Sequence, residues 1–115
     1  MTAHIIVDNR TGHAIHVNGC GAPFALVLES NTYHPEVAWP ACLQTLTIAV
    51  GKSTYPDTLT ARYDQCGPPG NHGSTHICVH GQPPALPAGD YRVVLFQPTH
   101  VVPAPAPIPV RVTPA

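Results

Sequence analysis

The residues of this chain that could do chemistry are four cysteines, eight histidines, six carboxylates and a few hydroxyls. The densest group is His72, His76, Cys78 and His80. In an extended stretch, positions 76, 78 and 80 project to one face. Neutral imidazole and thiolate are good ligands for zinc or copper, and Cys66 would complete a ligand set. The segment is also full of glycine and proline, and Cys66 and Cys78 are well placed to bond to each other. A disulfide sulfur is no longer a thiolate ligand. The reading that follows is a polar loop with incidental histidines. His72, His76 and His80 are then the only metal candidates, and no cofactor is expected.

Four cysteines in a small chain without C-x-x-C spacing point to two disulfides. Of the three possible pairings, proximity in sequence favours Cys20–Cys42 and Cys66–Cys78. Each closed loop would stabilise the fold by roughly 3 kcal/mol through the entropy lost by the unfolded chain. Bridges imply an oxidising compartment, so an extracellular or cell-envelope protein is expected. The run Ala3-His4-Ile5-Ile6-Val7 reads as a strand and not as an export signal. Export would therefore require a signal already removed, or a module of a longer exported protein. A cytosolic chain with four free thiols is the remaining option.

Catalysis finds little support. Ser30, Ser53 and Ser74 lie in no G-x-S-x-G elbow. The carboxylates are scattered, which gives no acid/base pair, and every cysteine has a prospective partner, which leaves no thiol nucleophile. No phosphate-cradling glycine loop or calcium loop is present. His13 and His16 would point to opposite faces of a strand and cannot chelate together. Asn9-Arg10-Thr11 fits a glycosylation acceptor, but it equally makes a turn. Five basic residues against six acidic ones give a net charge of −1. That balance offers no basic stripe for nucleic acid, and no apolar run approaches the ~20 residues that span a bilayer.

The elements that must hold these residues are strands. Charged residues make up 10% of the 115 and hydrophobic ones 43%, with 15 prolines and 9 glycines. So much apolar content argues against disorder, and no ten-residue amphipathic helix pattern occurs. Period-two alternation marks Ala3–Asp8, Ala14–Asn18, Phe24–Leu28, Leu43–Val50, Asp57–Tyr63, Tyr91–Gln97 and Ile108–Val112. Asp8–Gly12 and Gly51–Ser53 read as turns. Val101-Val102 would help to close the sheet, and His76–Val79 could add a short strand. Pro103–Pro107 must be polyproline-like or an edge. Asp64–Asp90 is the longest irregular region, tolerable in a compact domain if a disulfide crosses it. Seven or eight short strands at this length predict one all-β domain over 1–115, an antiparallel immunoglobulin-like sandwich. A single closed barrel is the alternative.

Leu86-Pro87-Ala88-Gly89-Asp90-Tyr91-Arg92-Val93 resembles the L-x-x-G-x-Y-x-V entry to a late strand of bacterial immunoglobulin-like domains. The resemblance implies a tyrosine corner at Tyr91, with the phenol bonded back to nearby backbone. With Asn9-Arg10-Thr11-Gly12, Leu46-Thr47-Ile48 and Gly51-Lys52-Ser53, the plan is similar to the bacterial intracellular proteinase-inhibitor-like family. Gly19-Cys20-Gly21, Trp39-Pro40-Ala41-Cys42 and Tyr63-Asp64-Gln65-Cys66 look closer to small exported actinobacterial domains of no assigned role. Antibody-type domains carry a cysteine two residues after the corner tyrosine, where this chain has Val93. Trp39 also sits three residues from Cys42 and not between sheet-bridging cysteines. Cys20, Cys42, Cys66 and Cys78 therefore read as staples of loops, and Trp39 as a core or lid residue.

The expected role is a noncatalytic binding or structural module of a cell envelope or particle surface, with a protein partner. Its recognition surface would be the 64–90 loop region, joined by Asn31–Trp39, since rigid scaffolds commonly carry recognition on loops. The rivals are a proteinase inhibitor presenting a rigid loop and an envelope metal-binding protein using loop histidines.

Overall fold

In a computed structural model the residues described are 1–37, 39, 42, 44–67, 76–98 and 101–114. The structure is all-β, with no helix among the described residues. Alternation becomes strand where one face has something to cover. In β1 (Thr2–Asn9), Ala3, Ile5, Val7 and Asn9 turn inward while Thr2, His4, Ile6 and Asp8 face solvent. β1 pairs antiparallel with β5 (Gly51–Thr58), and β2 (Ile15–Gly19) pairs antiparallel with β4 (Gln44–Ile48). A three-stranded antiparallel sheet runs β3 (Ala25–Glu29), β8 (Gly89–Phe96), β9 (Ile108–Val112). The two-residue strands β6 (Cys66–Gly67) and β7 (His76–Ile77) form a small parallel ladder.

Two apolar clusters join the ladders. Val7, Phe24 and Ile48 form one, flanked by Ile5, Ile15, Tyr55 and Leu95. Leu28, Leu59, Leu86, Tyr91 and Val112 form the other. Ile48 is 0% exposed. Burying such a side chain contributes roughly 1.5–3 kcal/mol.

The register locates a bulge. Asn9 lies opposite Gly51 and Ile15 opposite Ile48, so residues 10–14 on one side face only 49 and 50 on the other. The expected Asp8–Gly12 turn is thus an insertion between two ladders. Asn9, 3% exposed, holds it together. Its Nδ2 donates to the carbonyls of His13 (2.9 Å) and Ile48 (3.3 Å), and its Oδ1 accepts from the Thr11 hydroxyl (2.7 Å) and N–H (3.1 Å). A buried amide satisfied at both ends costs the core little, whereas an unpaired one is expensive.

Three sequence expectations need correction. The strand placed at Asp57–Tyr63 lies at Gly51–Thr58, and Gly51-Lys52-Ser53 begins that strand. The chain turns just before it, with Gly51 at φ 87°, a left-handed conformation that a Cβ disfavours. Pro56 lies inside this strand, and because β5 pairs with β1 alone among the described strands a proline is tolerated there. Val101 and Val102 are not in a strand. Instead Gln97 pins them, its Nε2 donating to Val102 O (2.9 Å) and its Oε1 accepting from Val101 N (3.3 Å). Val50, expected on the face of Leu46 and Ile48, is exposed just past the end of β4.

Candidate functional site

Both predicted disulfides are present. Cys20 bonds to Cys42 with Cα atoms 5.4 Å apart, and Cys66 to Cys78 with Cα atoms 4.9 Å apart. The second staples the two short strands β6 and β7 at the root of the 64–90 region, where Cys78 N–H also donates to Gly67 O (3.0 Å). Two bridges are compatible with an oxidising extracellular environment.

The same local structure separates the histidines. Val79 and Gln82 exchange two backbone hydrogen bonds, 2.8 and 3.1 Å. Between them His80 (φ 52°) and Gly81 (φ 75°) are both left-handed, the pattern of a two-residue I′ turn. His80 therefore sits at a turn tip and does not continue the face of His76. Cys78 is oxidised, and His72 lies outside the described residues. Among the described residues no three His, Cys, Asp or Glu side chains converge to hold a metal ion. His16 on β2 faces Thr47 across the ladder at 3.1 Å, and His13 lies in the 10–14 insertion.

His76 has a different neighbour. Its ring stacks on Tyr63 with centroids 3.7 Å apart and planes 16° from parallel. Tyr63 also meets Tyr33, edge to face at 5.2 Å and 84°. The Tyr33 hydroxyl donates to Asp64 Oδ1 (3.0 Å) and accepts the Asp64 backbone N–H (2.8 Å). Burial pushes the Tyr33 phenol up to about 12, and the Asp64 carboxylate beside it adds to the rise while the Asp64 backbone bond opposes it.

This cluster joins two segments far apart in sequence. Glu29 anchors the near end of the first: it accepts from Arg92 Nε (2.9 Å), and Arg92 also reaches Ser30 O (3.4 Å) and Asn31 Oδ1 (3.4 Å). Ser30 N–H closes the turn onto Tyr33 O at 2.9 Å. The second segment is tied down by Tyr63 N–H to Pro84 O (3.0 Å) and Leu86 N–H to Ala61 O (2.8 Å). Beneath both, buried Tyr91 donates its hydroxyl to Pro87 O at 2.8 Å. Burial raises the Tyr91 phenol as well.

Between the segments opens a groove of about 460 Å³, whose walls include Tyr33, Glu36, Tyr63, Asp64, His76 and Tyr91. From the sequence, Trp39 is expected to be a core or lid residue. Trp39 is half-buried, and neither core cluster includes it. The Tyr33–Tyr63–His76 stack was not foreseen. The signal available was the Tyr63-Asp64 dipeptide just before Cys66, an aromatic and a hydrogen-bonding group fixed beside a disulfide.

Geometrically, the groove offers ring faces, hydroxyl and carboxylate acceptors and a rigid base. No protein family, curated protein or solved structure matches the chain.

Proposed function

We propose that the protein is a noncatalytic binding module, an immunoglobulin-like sandwich of a cell envelope or particle surface, that recognises a protein partner through the groove between residues 30–36 and the side formed by Tyr63, Asp64, His76 and Tyr91. The observation that carries this reading is the stack of Tyr33, Tyr63 and His76, locked by Asp64. It joins the two loop segments into one preorganised surface. Tyrosine supplies large amphipathic contact area at low entropic cost, which is why recognition loops are rich in it. A loop surface already held by a disulfide and hydrogen bonds gives up little freedom on binding.

The lining also suggests the partner's chemistry. Glu36 and Asp64 are carboxylates, and no Lys or Arg stands among the described wall residues. A partner side chain carrying Lys or Arg would find charge complementarity and aromatic faces together.

Peptide arrays of graded charge, probed with the whole chain and with a Tyr63→Ala/His76→Ala variant, test the proposal. Basic peptides should be retained by the parent and lost by the variant, while acidic ones bind neither. Equal retention by both proteins would remove the groove as the recognition surface. A protease panel in the same experiment addresses the inhibitor alternative: inhibition at micromolar concentration that survives the double substitution would favour that reading instead.

A further inference from the structure

β1 and the three-stranded sheet wall a second groove of about 530 Å³, which shares no described wall residue with the first. On the β1 side, Met1 and Leu59 exchange both backbone hydrogen bonds, 3.0 and 2.8 Å. That reciprocal pair fixes the phase of the ladder, because bonded and non-bonded pairs alternate in an antiparallel ribbon. Ala3, Ile5 and Val7, the residues that turn inward, therefore sit on backbone bonded to β5. The floor is one face of the three-stranded sheet. Leu26 of β3, Val93 and Leu95 of β8 and Ile108 of β9 share that face by register. Residues 102–105 make the third wall, and Gln97 fixes its start through its bonds to Val101 and Val102.

Size, shape and exposure give this groove the character of a ligand site. Its volume lies within the roughly 300–1,000 Å³ of small-molecule pockets and far above the voids of a packed interior. It runs along the seam between the two apolar clusters. Ala3, Leu26 and Leu59 belong with one cluster, and Val7, Phe24 and Leu95 with the other. From Ala3 to Val7 the seam extends about 13 Å, at ~3.3 Å per strand residue. The aliphatic side chains along it are not covered. Leu26, Val93 and Leu95 face inward yet are only half-buried, and at the rim Ile6 is 68% and Ile108 59% exposed. Contiguous aliphatic surface left open in a folded protein marks a binding site.

We propose that this groove binds the alkyl chain of an uncharged amphiphile, a medium-length fatty alcohol or neutral acyl group lying along β1. No Lys or Arg stands among the described wall residues. Asp8 is already paired with Arg10 at 2.6 Å, and His4 lies on the outward face of β1. A carboxylate or phosphate drawn into the groove would find no Lys or Arg to pair with, and burying it unpaired is expensive. An aliphatic chain needs only apolar walls, and each carbon that leaves water adds to its affinity. The open rim at Ile6 and Ile108 leaves the polar head in solvent, beside exposed His4 and Asp8. Ladders and the Gln97 bonds hold the walls before the ligand arrives, so binding has little of the protein to order.

Methyl-resolved NMR of the whole chain, titrated with decanol, tests the proposal. Saturable shifts at a single equivalent are expected for Ile5, Val93, Leu95 and Ile108, with half-saturation below about 100 µM. The exposed methyls of Ile77 and Val79, at the loop end, should stay still. Decanoate, an anion at neutral pH, should bind at least about tenfold more weakly. Ala3→Leu fills the groove from β1, and Ile108→Asp sets a charge at the exposed rim; each should weaken decanol at least about tenfold. Shifts that spread alike to Ile77 and Val79 would overturn the proposal, as would the absence of saturation up to the solubility limit of decanol. Equal affinity for decanoate, or saturation unmoved by both variants, would do the same. The same shifts with phosphatidylcholine vesicles in place of decanol would name a bilayer lipid as the source of the chain, and a response to decanol alone would name a free amphiphile.

Discussion

The body of the protein and its loop end are held by different forces. In the body, β1 and β5 bring alternating side chains onto Phe24, Ile48 and Leu95, and burial does most of the stabilising. At the loop end the strands β6 and β7 are two residues long, and among the described residues few buried side chains lie beyond Leu59 and Leu86. A disulfide, isolated bridges from Arg62 to Ala85 and from Val79 to Gln82, and the Tyr33–Asp64 pair take over. The comparison teaches where variation is tolerated. A surface that owes its shape to a covalent staple and a few polar contacts can change its side chains without disturbing the core beneath it.

Substitutions can break or sharpen that contrast. The largest effect is expected from Ile48→Ala. A fully enclosed isoleucine leaves a cavity, and a loss of about 2–5 kcal/mol should appear in denaturant unfolding. If the two regions are held independently, the Tyr63–His76 stack should keep its chemical shifts in the native state of this variant. Global loss of those signals would show that the loop end leans on the core.

Replacing both Cys66 and Cys78 by serine should cost about 3 kcal/mol, the entropy of a loop of this size. Amide exchange should rise first at Cys78, Val79 and Gln82 and only later along β8. Uniform acceleration through β1, β5 and β8 would mean that the staple supports the body as well.

The smallest effect belongs to Tyr33. Its phenol titrates at about 12 in the folded chain, above its ordinary value of 10.0. The folded state therefore holds the proton more tightly than the unfolded one. The stability this supplies is complete below pH 10 and is lost as pH rises from 10 towards 12. Tyr33→Phe should flatten that alkaline decline in unfolding free energy and remove a late step from the tyrosinate absorbance titration. A late step that persists would assign it to Tyr91, whose phenol is also raised.

Much of the plan was legible in the residues. Alternation at Ile5 and Val7, at Leu46 and Ile48 and in Ile108–Val112 named strands that the structure contains, and sequence proximity named both disulfides. The errors have a common cause. Asp57–Tyr63 alternates apolar and polar residues where Gly51–Thr58 does not, but it is Gly51–Thr58 that lies along the whole length of β1 and pairs with it. Val101-Val102 had the right residue types and, among the described residues, bonds to Gln97 and not to a strand. His80 looked like a partner of His76 until a left-handed turn carried it away.

The sequence by itself determined that this chain is built of short strands with stiff, cysteine-stapled breaks, because period-two alternation, proline and cysteine spacing act within a few residues. Which strand pairs with which, the phase of the β1–β5 ladder, the burial of Asn9 and the meeting of Tyr33 with Tyr63, Asp64 and His76 were decided only by the tertiary structure. Each of these joins residues tens of positions apart. No local pattern encodes such a contact, since its energy is realised only when the whole set of ladders closes.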